Sequence, residues 1–584
     1  MRQKNPSVKM ENNTEQLLLR ISELEKEISR LHTQIKKERY GLVWLDVPEG
    51  FEKETEDKIP MLEEVTGNAI TNADGKPTHI IIEGDNYHAL TCLNYTHQGK
   101  IDVIYIDPPY NTGNDGFTYK DKRVLKEFPD GSPVPREHPL RHSYWLSFMS
   151  KRLLLAKNLL SEKGVIFISI DDNEQANCKL LCDMIFGESN FVANIVRRNK
   201  AGAGHDSKDI SIEYDYMLLY AKSKNKIKLN KAPVDVEKDA KYRYADDFVS
   251  YRGKYYLRDL DYKGSYSPSL DYPITLPNGK TIYAGGKLGK PNTWRWSREK
   301  YEWGIQNGFI VIDEQKEKIF IKQYQFVDNK DKIRTRYIPY RAEVSFLNSE
   351  GSQELNNIIR QTIFSYPKPT SLIEYAEKLA SSKDSIILDF FAGSGTTLHA
   401  TMKLNAEDGG RRQCILVQRK EGDKNICESV TYERNKRVIL GYENQKGRHV
   451  EGLGNSLKYY RTAFVGKKNS RAKSDRAKIQ LSQKAGCLLA IAANTLYEIV
   501  TTKHYQVFSD GKGNYTGVYF SCKDDGVEAF AHELESLRDS GAGGNVSAYF
   551  LCDDLKAKIA DLQGVALKQI PEQILAVYRN INGL

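Results

Sequence analysis

The spacing of apolar residues changes several times along the chain. Between residues 15 and 38 it is a strict heptad. Leu17, Ile21, Leu24, Ile28, Leu31 and Ile35 alternate steps of four and three among Glu, Lys, Arg, Ser and Gln. This predicts a helix with one apolar seam, either a short coiled coil or a helix docked on the rest of the chain; about three heptads is near the minimum for self-association. From Thr78 short continuous apolar runs take turns with helix-period stretches. HIIIEGD (79–85) reads as a buried strand ending in a turn, Asn86 to Leu93 as a helix, and KIDVIYIDPPY (100–110) as a second buried strand stopped by two prolines. Residues 143–161 read as a helix and GVIFISIDD (164–172) as a strand. FVANIVRRN (191–199) and YDYMLLYAK (214–222) read as an antiparallel pair. The alternation predicts an α/β fold, a mainly parallel sheet with one antiparallel strand and helices on both faces.

Residues 225–355 lose that rhythm. They are rich in Tyr, Lys, Arg, Gly and Asp and broken by turn residues, so a separate insertion of mixed or β structure is expected. The α/β pattern returns with helix 369–381 and strands SIILDFF (385–391) and CILVQRKE (414–421). A final α+β segment mixes helices such as AGCLLAIAANTLYEIV (485–500) with strands such as GVYFSC (517–522). The predicted organisation is therefore an N-terminal helix (1–40), one half of the α/β domain (41–224), the insertion (225–355), the other half (356–450) and a C-terminal domain (451–584), possible as a dimerisation unit.

Composition changes this picture little. The chain has 584 residues, 40% hydrophobic and 28% charged, which is globular usage. The formal net charge of +9 fits a polyanionic partner without requiring one. No run of about 18 apolar residues predicts a membrane span, and the N-terminal MRQKNPSVKMENN lacks an apolar signal core. The eight cysteines are scattered. CKLLC places Cys178 and Cys182 one helical turn apart, but no second pair or nearby His completes a metal pattern. Free buried thiols in a reducing cytoplasm are expected, with neither metal nor disulfide.

Two motifs carry chemistry. The first is Asp107-Pro108-Pro109-Tyr110 at the C-terminal end of a buried strand, where open α/β sheets bind ligands. A carboxylate, an unpaired carbonyl and an aromatic ring converge there and suit a planar base bearing an NH2 group. Such a nitrogen is a poor nucleophile because the ring draws in its lone pair. If Asp107 and the Pro108 carbonyl accept its two hydrogens, the pair localises and can attack an electrophile, while Tyr110 stacks on the ring. In duplex DNA that base must first leave the stack. A Pro-Pro turn behind a capping Asp would use the same letters; the following Asn111-Thr112-Gly113 argues against that reading. The second motif runs Asp389-Phe390-Phe391-Ala392-Gly393-Ser394-Gly395-Thr396-Thr397, a strand entering a helix, with glycines for a tight turn and close backbone approach. Leu398 stands where a dinucleotide fingerprint wants a third Gly, so a pyrophosphate is not the expected guest. Glu421 ends the next predicted strand, where a carboxylate can take both hydroxyls of a ribose. Together these suit a nucleoside with a zwitterionic tail. GGKLGK (285–290) departs from a P-loop at both ends, and AGAGHD (201–206) reads as a turn.

DPPYNTG followed by DFFAGSGTT resembles the permuted β class of DNA amino-methyltransferases, in which the target-amine motif precedes the cofactor motif and the target-recognition region lies between them. The resemblance covers roughly residues 40–465. It looks closest to the Mod subunits of type III restriction–modification systems, with GLVW (41–44) and GNSLKYYRTAFV (454–465) similar to segments of that group. It implies a Rossmann-like class I methyltransferase sheet, S-adenosylmethionine as cofactor and direct transfer to adenine N6 without a metal. Asp107, Pro108, Pro109 and Tyr110 match the target-base site. Asp389, Phe391, Ala392, Gly393, Ser394, Gly395 and Thr396 match the cofactor loop, and Glu421 the ribose acid, although Arg419-Lys420 before it departs from the commoner Leu-Pro. Asp85 matches a contact to the adenine end of the cofactor, and Lys368-Pro369 the helix start that closes over its methionine end. Asp at the head of the motif goes with adenine N6, and Ser more often with cytosine N4, which stays open.

The partners implied are double-stranded DNA, a second copy of the chain and a separate restriction (Res) subunit, since this chain carries no P-loop or nuclease motif; the place implied is the bacterial cytoplasm, with no membrane. Residues 117–143 follow DPPY directly and are expected to approach the target strand. KYRY (241–244), YRGKYYLR (251–258) and TWRWSREKYEW (293–303) interleave cations with aromatics; residue by residue an aromatic core under a basic face is the first reading, and as a region the insertion is expected to read DNA. A methyltransferase acting on RNA or a protein amide would be favoured by Asn in place of Asp107 and by the unpermuted order, and a non-catalytic DNA-binding subunit would not need both motifs intact.

Overall fold

The computed structural model describes residues 42, 44–49, 58–112, 126–127, 132–135, 138–202, 210–234, 236, 239–286, 292–420, 425–466, 475–540 and 544–582. The heptad helix, most of the 117–143 loop, residues 203–206 and 287–290 of the two glycine patterns, and Glu421 lie outside them. The chain forms two compact units, one of residues 1–229 with 341–584 and one of 230–340.

The larger unit is built on ten strands: β1 (Lys58–Glu64), β2 (Thr78–Glu83), β3 (Ile101–Ile106), β4 (Leu160–Ile170), β5 (Phe191–Arg198), β6 (Tyr214–Ala221), β7 (Glu343–Ser345), β8 (Ile386–Asp389), β9 (Gln413–Gln418) and β10 (Ser456–Gly466). Their order across the sheet is β1-β10-β2-β9-β8-β3-β4-β6-β5-β7. β6 runs antiparallel to β4 and β5, and β1 runs antiparallel to β10; the other pairs are parallel. The central strands are apolar on both faces because helices cover both: Ile80–Ile82, Ile104, Ile106, Ile387, Leu388 and Ile415–Val417 are all buried. Those helices include α1 (Asn86–His97), α2 (Ser143–Leu159), α3 (Gln175–Phe186), α4 (Asn348–Ile359), α5 (Thr370–Ala380) and α6 (Thr396–Asp408), and α7 (Glu433–Leu440) continues a π-helical turn, Cys427–Tyr432.

One register matters most. β3 and β8 are adjacent and parallel, with Ile387 beside Val103 and Leu388 beside Ile104. Residues almost three hundred positions apart therefore leave the sheet side by side, at the carboxyl ends of the two strands.

β7 and α4 belong to this larger unit, so residues 341–355 are part of the α/β layer rather than of the insertion. β10 is likewise a central-sheet strand, although the sequence placed it at the head of the C-terminal domain. Beyond it, α8 (Asp475–Ala493) packs on β1 and α1, and a five-stranded sheet of Tyr497–Thr501, Tyr505–Ser509, Tyr515–Tyr519, Val546–Phe550 and Val565–Lys568 follows. The helix expected over 485–500 stops at Ala493. Asn494 takes φ +57°, a left-handed helix stop, and Tyr497–Thr501, rich in aromatic and β-branched residues, becomes an edge strand.

The expectation of no disulfide is overturned: Cys522 and Cys552 are bonded, with Cα atoms 5.5 Å apart. Tyr515–Tyr519 and Val546–Phe550 are parallel and in register, Tyr519 beside Phe550, so both cysteines leave the same edge of the sheet. A separation of 30 residues in sequence carries no trace of that pairing. Cys92, Cys178, Cys182, Cys414, Cys427 and Cys487 are free and buried.

The smaller unit has its own core. Tyr255, Tyr272, Trp294, Trp296, Phe309 and Tyr324 are buried together, over the antiparallel strands Tyr255–Asp259, Lys318–Tyr324 and Ile310–Asp313. Much of the aromatic content of the interleaved motifs is thus core. Arg252, also buried, pairs with Asp331 at 2.7 Å, whereas Tyr244, Tyr251 and Tyr262 are exposed. No helix among the described residues is long and apolar enough to cross a membrane.

Candidate active site

DPPY follows β3 and is pinned from behind. The indole Nε1 of Trp145, fully buried on α2, donates to the Pro109 carbonyl at 2.7 Å. Asn111 then turns the chain at φ +61°, and its Nδ2 donates to Glu174 Oε1 at 2.6 Å. His142 Nδ1 donates to the same oxygen at 2.7 Å, and its pKa is raised because the Glu174 carboxylate favours the protonated ring. The motif is therefore held at both ends.

The second motif follows β8, and three residues at the π-turn and α7 grip it. Thr431 Oγ1 donates to Gly393 O at 2.6 Å, Asn435 Nδ2 to Gly395 O at 3.1 Å, and Arg434 Nη1 to Ser394 Oγ and Thr396 Oγ1 at 3.1 and 2.7 Å. Gly393 N–H donates to Gln418 Oε1 at 2.8 Å. Gly393 and Gly395 have φ +51° and +73°, and a Cβ at Gly395 would lie 2.4 Å from Asn435 Nδ2, so the turn requires glycine there. Asp389 accepts from Phe391 N at 2.9 Å and from Thr397 Oγ1 at 2.6 Å. Its burial nonetheless raises its pKa to about 7.

The adjacency of β3 and β8 brings both motifs onto one cavity of about 620 Å³, within the roughly 300–1,000 Å³ range of small-molecule sites. Asp107, Pro108, Pro109, Tyr110, Lys368, Asp389, Phe391, Ala392, Gly393, Ser394 and Thr396 all form its wall. Lys368 Nζ donates to Asp107 Oδ2 at 2.5 Å and sits 5.0 Å from the centre of the Tyr110 ring. Asp107 Oδ1 and the Tyr110 hydroxyl are buried with no hydrogen-bond partner among the described residues. Burial, with the Asp107 charge nearby, holds the Tyr110 phenol well above its ordinary pKa.

Gly395 lies behind the turn, outside the cavity lining. Asp85 lies elsewhere too: it caps α1 by accepting from Tyr87 N at 2.9 Å and pairs with Arg152 at 3.1 Å. It borders a separate recess of about 10 Å³ with Asn86, Phe391, Gln418 and Arg419. Phe391 borders both spaces. The wall also includes Arg197, Asp215 and Asn348, which the sequence reading did not single out. A trace was there: Arg197 and Asp215 are charges inside two strands of mainly apolar residues. Among the described residues, no cluster of His, Cys, Asp and Glu is gathered as for a metal ion.

An open, mainly parallel sheet with paired motifs at the carboxyl ends of β3 and β8 is the arrangement of an amino-methyltransferase. The chain matches the DNA methylase family model over residues 101–449 and belongs to that family. It is 35% identical over 427 residues to the type III restriction-modification enzyme StyLTI Mod subunit of Salmonella typhimurium, covering 67% of this chain and 62% of that protein. It is 31% identical to the EcoPI Mod subunit of Escherichia phage P1, over 66% of this chain and 65% of that one. It is 33% identical to the type II methyltransferase M.KpnI of Klebsiella pneumoniae, over 57% of this chain and 79% of that one. The matched stretch thus spans less than two thirds of the two Mod subunits.

Proposed function

We propose that this chain is an S-adenosylmethionine-dependent DNA methyltransferase that methylates adenine N6 in a base turned out of the duplex, as the modification subunit of a restriction–modification system. The observation that carries this reading is that Asp107 and the Asp389–Thr396 turn border one cavity.

The residues present suit both guests. Asp107 Oδ1, buried without a hydrogen-bond partner among the described residues, is an acceptor that an amine hydrogen would satisfy. Accepting that hydrogen leaves electron density on the nitrogen. The Tyr110 ring supplies a face for stacking, and the side chains tied to the motif, Trp145 and Glu174, keep carboxylate and ring from drifting. Beside them, Asp389 and the side-chain-free Gly393 of the Ala392–Ser394 turn leave room for the cofactor, with Lys368 suited to a carboxylate tail. When bound, S-adenosylmethionine supplies a methyl group on a positively charged sulfur. The chain's contribution is positioning and desolvation. The Mod subunits among the relatives support the assignment to a type III system, with a Res subunit as restriction partner and a homodimer as the working form, in the bacterial cytoplasm where its DNA lies.

The test is incubation of the purified chain with isotopically labelled S-adenosylmethionine and either duplex DNA or RNA, followed by nucleoside analysis. N6-methyladenine from DNA is the expected product. N4-methylcytosine would replace the base assignment, and label on RNA alone would overturn the substrate.

A further inference from the structure

Arg197 on β5 and Asp215 on β6 face each other in register across the antiparallel pair. A guanidinium has five N–H groups. Here Nε donates to Asp215 Oδ1 at 2.7 Å, and Nη2 donates to Asp215 Oδ2 and, at 3.0 Å, to Asn348 Oδ1. Three of the five are used, and those bonds fix the plane of the group. The remaining two, on Nη1, meet no acceptor among the described residues, although the residue is 2% exposed. Leaving a buried charged donor unsatisfied is costly, so such a group calls for a partner, whether an ordered water or a ligand. Arg197 stands on the same cavity wall as Asp107 and Tyr110.

We propose that Arg197 reads the target base, its Nη1 donating to the ring nitrogen of the base while Asp107 accepts from the neighbouring amine. This rests on the function proposed above. An aminated base offers that pair of features side by side: in adenine the N6 amine is flanked by N1 and N7, both acceptors. A 6-oxo purine carries a hydrogen on N1, which would oppose a guanidinium donor at that edge. At the N1 edge the site so built rejects a 6-oxo purine by the mismatch of a single proton. A phosphate is the weaker candidate for Nη1. Asp215 pairs with Arg197 and largely cancels its charge.

The test uses duplexes containing the methylated site, once sequencing has located it, with the target adenine replaced by 1-deazaadenine or 7-deazaadenine. Single-turnover methylation is measured for the wild type, Arg197→Met and Arg197→Leu. The wild type is expected to lose at least about tenfold on one analogue, the loss of one charge-assisted hydrogen bond. Both variants should be slow on adenine, and neither should slow further on that analogue, because the contact is already gone. Equal wild-type rates on adenine and both analogues overturn the proposal even if no variant folds. A variant that suffers the full wild-type penalty on the analogue overturns it too, leaving Arg197 a strut for Asp215. No methylation of any DNA by the wild type would instead remove the function on which it rests.

Discussion

Replacing Asp107 with alanine probes the chemistry most sharply. The carboxylate has two oxygens in different states. Oδ2 takes the Lys368 ammonium at 2.5 Å, and Oδ1 is buried with no hydrogen-bond partner among the described residues. A hydrogen bond to a charged acceptor is worth about 1.5–3 kcal/mol, which alone is about 10- to 150-fold in rate if the bond matures in the transition state. The alanine variant also frees Lys368, 11% exposed in its side chain, to wander over the Tyr110 ring, so the full loss should exceed that range. Asp107→Asn keeps the shape and a neutral acceptor of roughly half the strength, and should fall between. The assay is single-turnover transfer of labelled methyl to duplex DNA, beside a DNA-binding isotherm. Binding should hold within about threefold, because phosphate contacts supply most of the affinity. Turnover of Asp107→Ala within a few-fold of wild type would refute the reasoning.

Other perturbations test the scaffold. Gly395→Ala forces a side chain into φ +73° and against Asn435, at about 1–3 kcal/mol; calorimetric titration should show weakened S-adenosylmethionine binding, and unchanged affinity would contradict the tight-turn argument. Arg152→Leu strands Glu49 and Asp85, which the fully buried guanidinium meets at 2.6 and 3.1 Å; urea unfolding should report about 3–5 kcal/mol lost, and a loss below about 1 kcal/mol would mean that the cluster is dispensable. Burial raises the Glu377 pKa to about 8, so its folded state favours the protonated form. The stability it contributes is complete below the ordinary carboxylate range and drains away as pH rises toward and through 8. The thermal midpoint should therefore fall between pH 6 and 9, less steeply in Glu377→Gln; identical slopes would disprove that assignment.

How much of this was legible beforehand depended on whether a feature was local. β3 and β8 are short apolar runs ending in Asp-Pro-Pro or entering Gly-Ser-Gly, so their type, ends and chemistry could be read directly. Their adjacency could not be, because nothing in a linear sequence orders parallel strands. The resemblance to permuted methyltransferases supplied that expectation, and the register of Leu388 on Ile104 makes it concrete. Side-chain partners were harder still. Arg434 on the cofactor turn, Lys368 on Asp107, and Asp215 on Arg197 are pairings of common residues distant in sequence, which no local pattern encodes. The C-terminal helix was read too long because AIAANTLYEIV stays apolar through Asn494, whose left-handed turn ends it. Cys522 and Cys552 pair through strand register, which spacing does not encode. In the insertion, cations and aromatics alternate as a nucleic-acid surface would, yet Trp294 and Trp296 are buried to make a small core.

The most direct measurement is base-resolved sequencing of DNA from cells that express this chain or its Asp107→Ala variant and otherwise lack the modification. Methylated adenine within one recurrent sequence, present with the wild type and gone with the variant, is the expected record. DNA unmodified by the wild type, or modified equally by both, would contradict the shared site of Asp107 and the glycine turn.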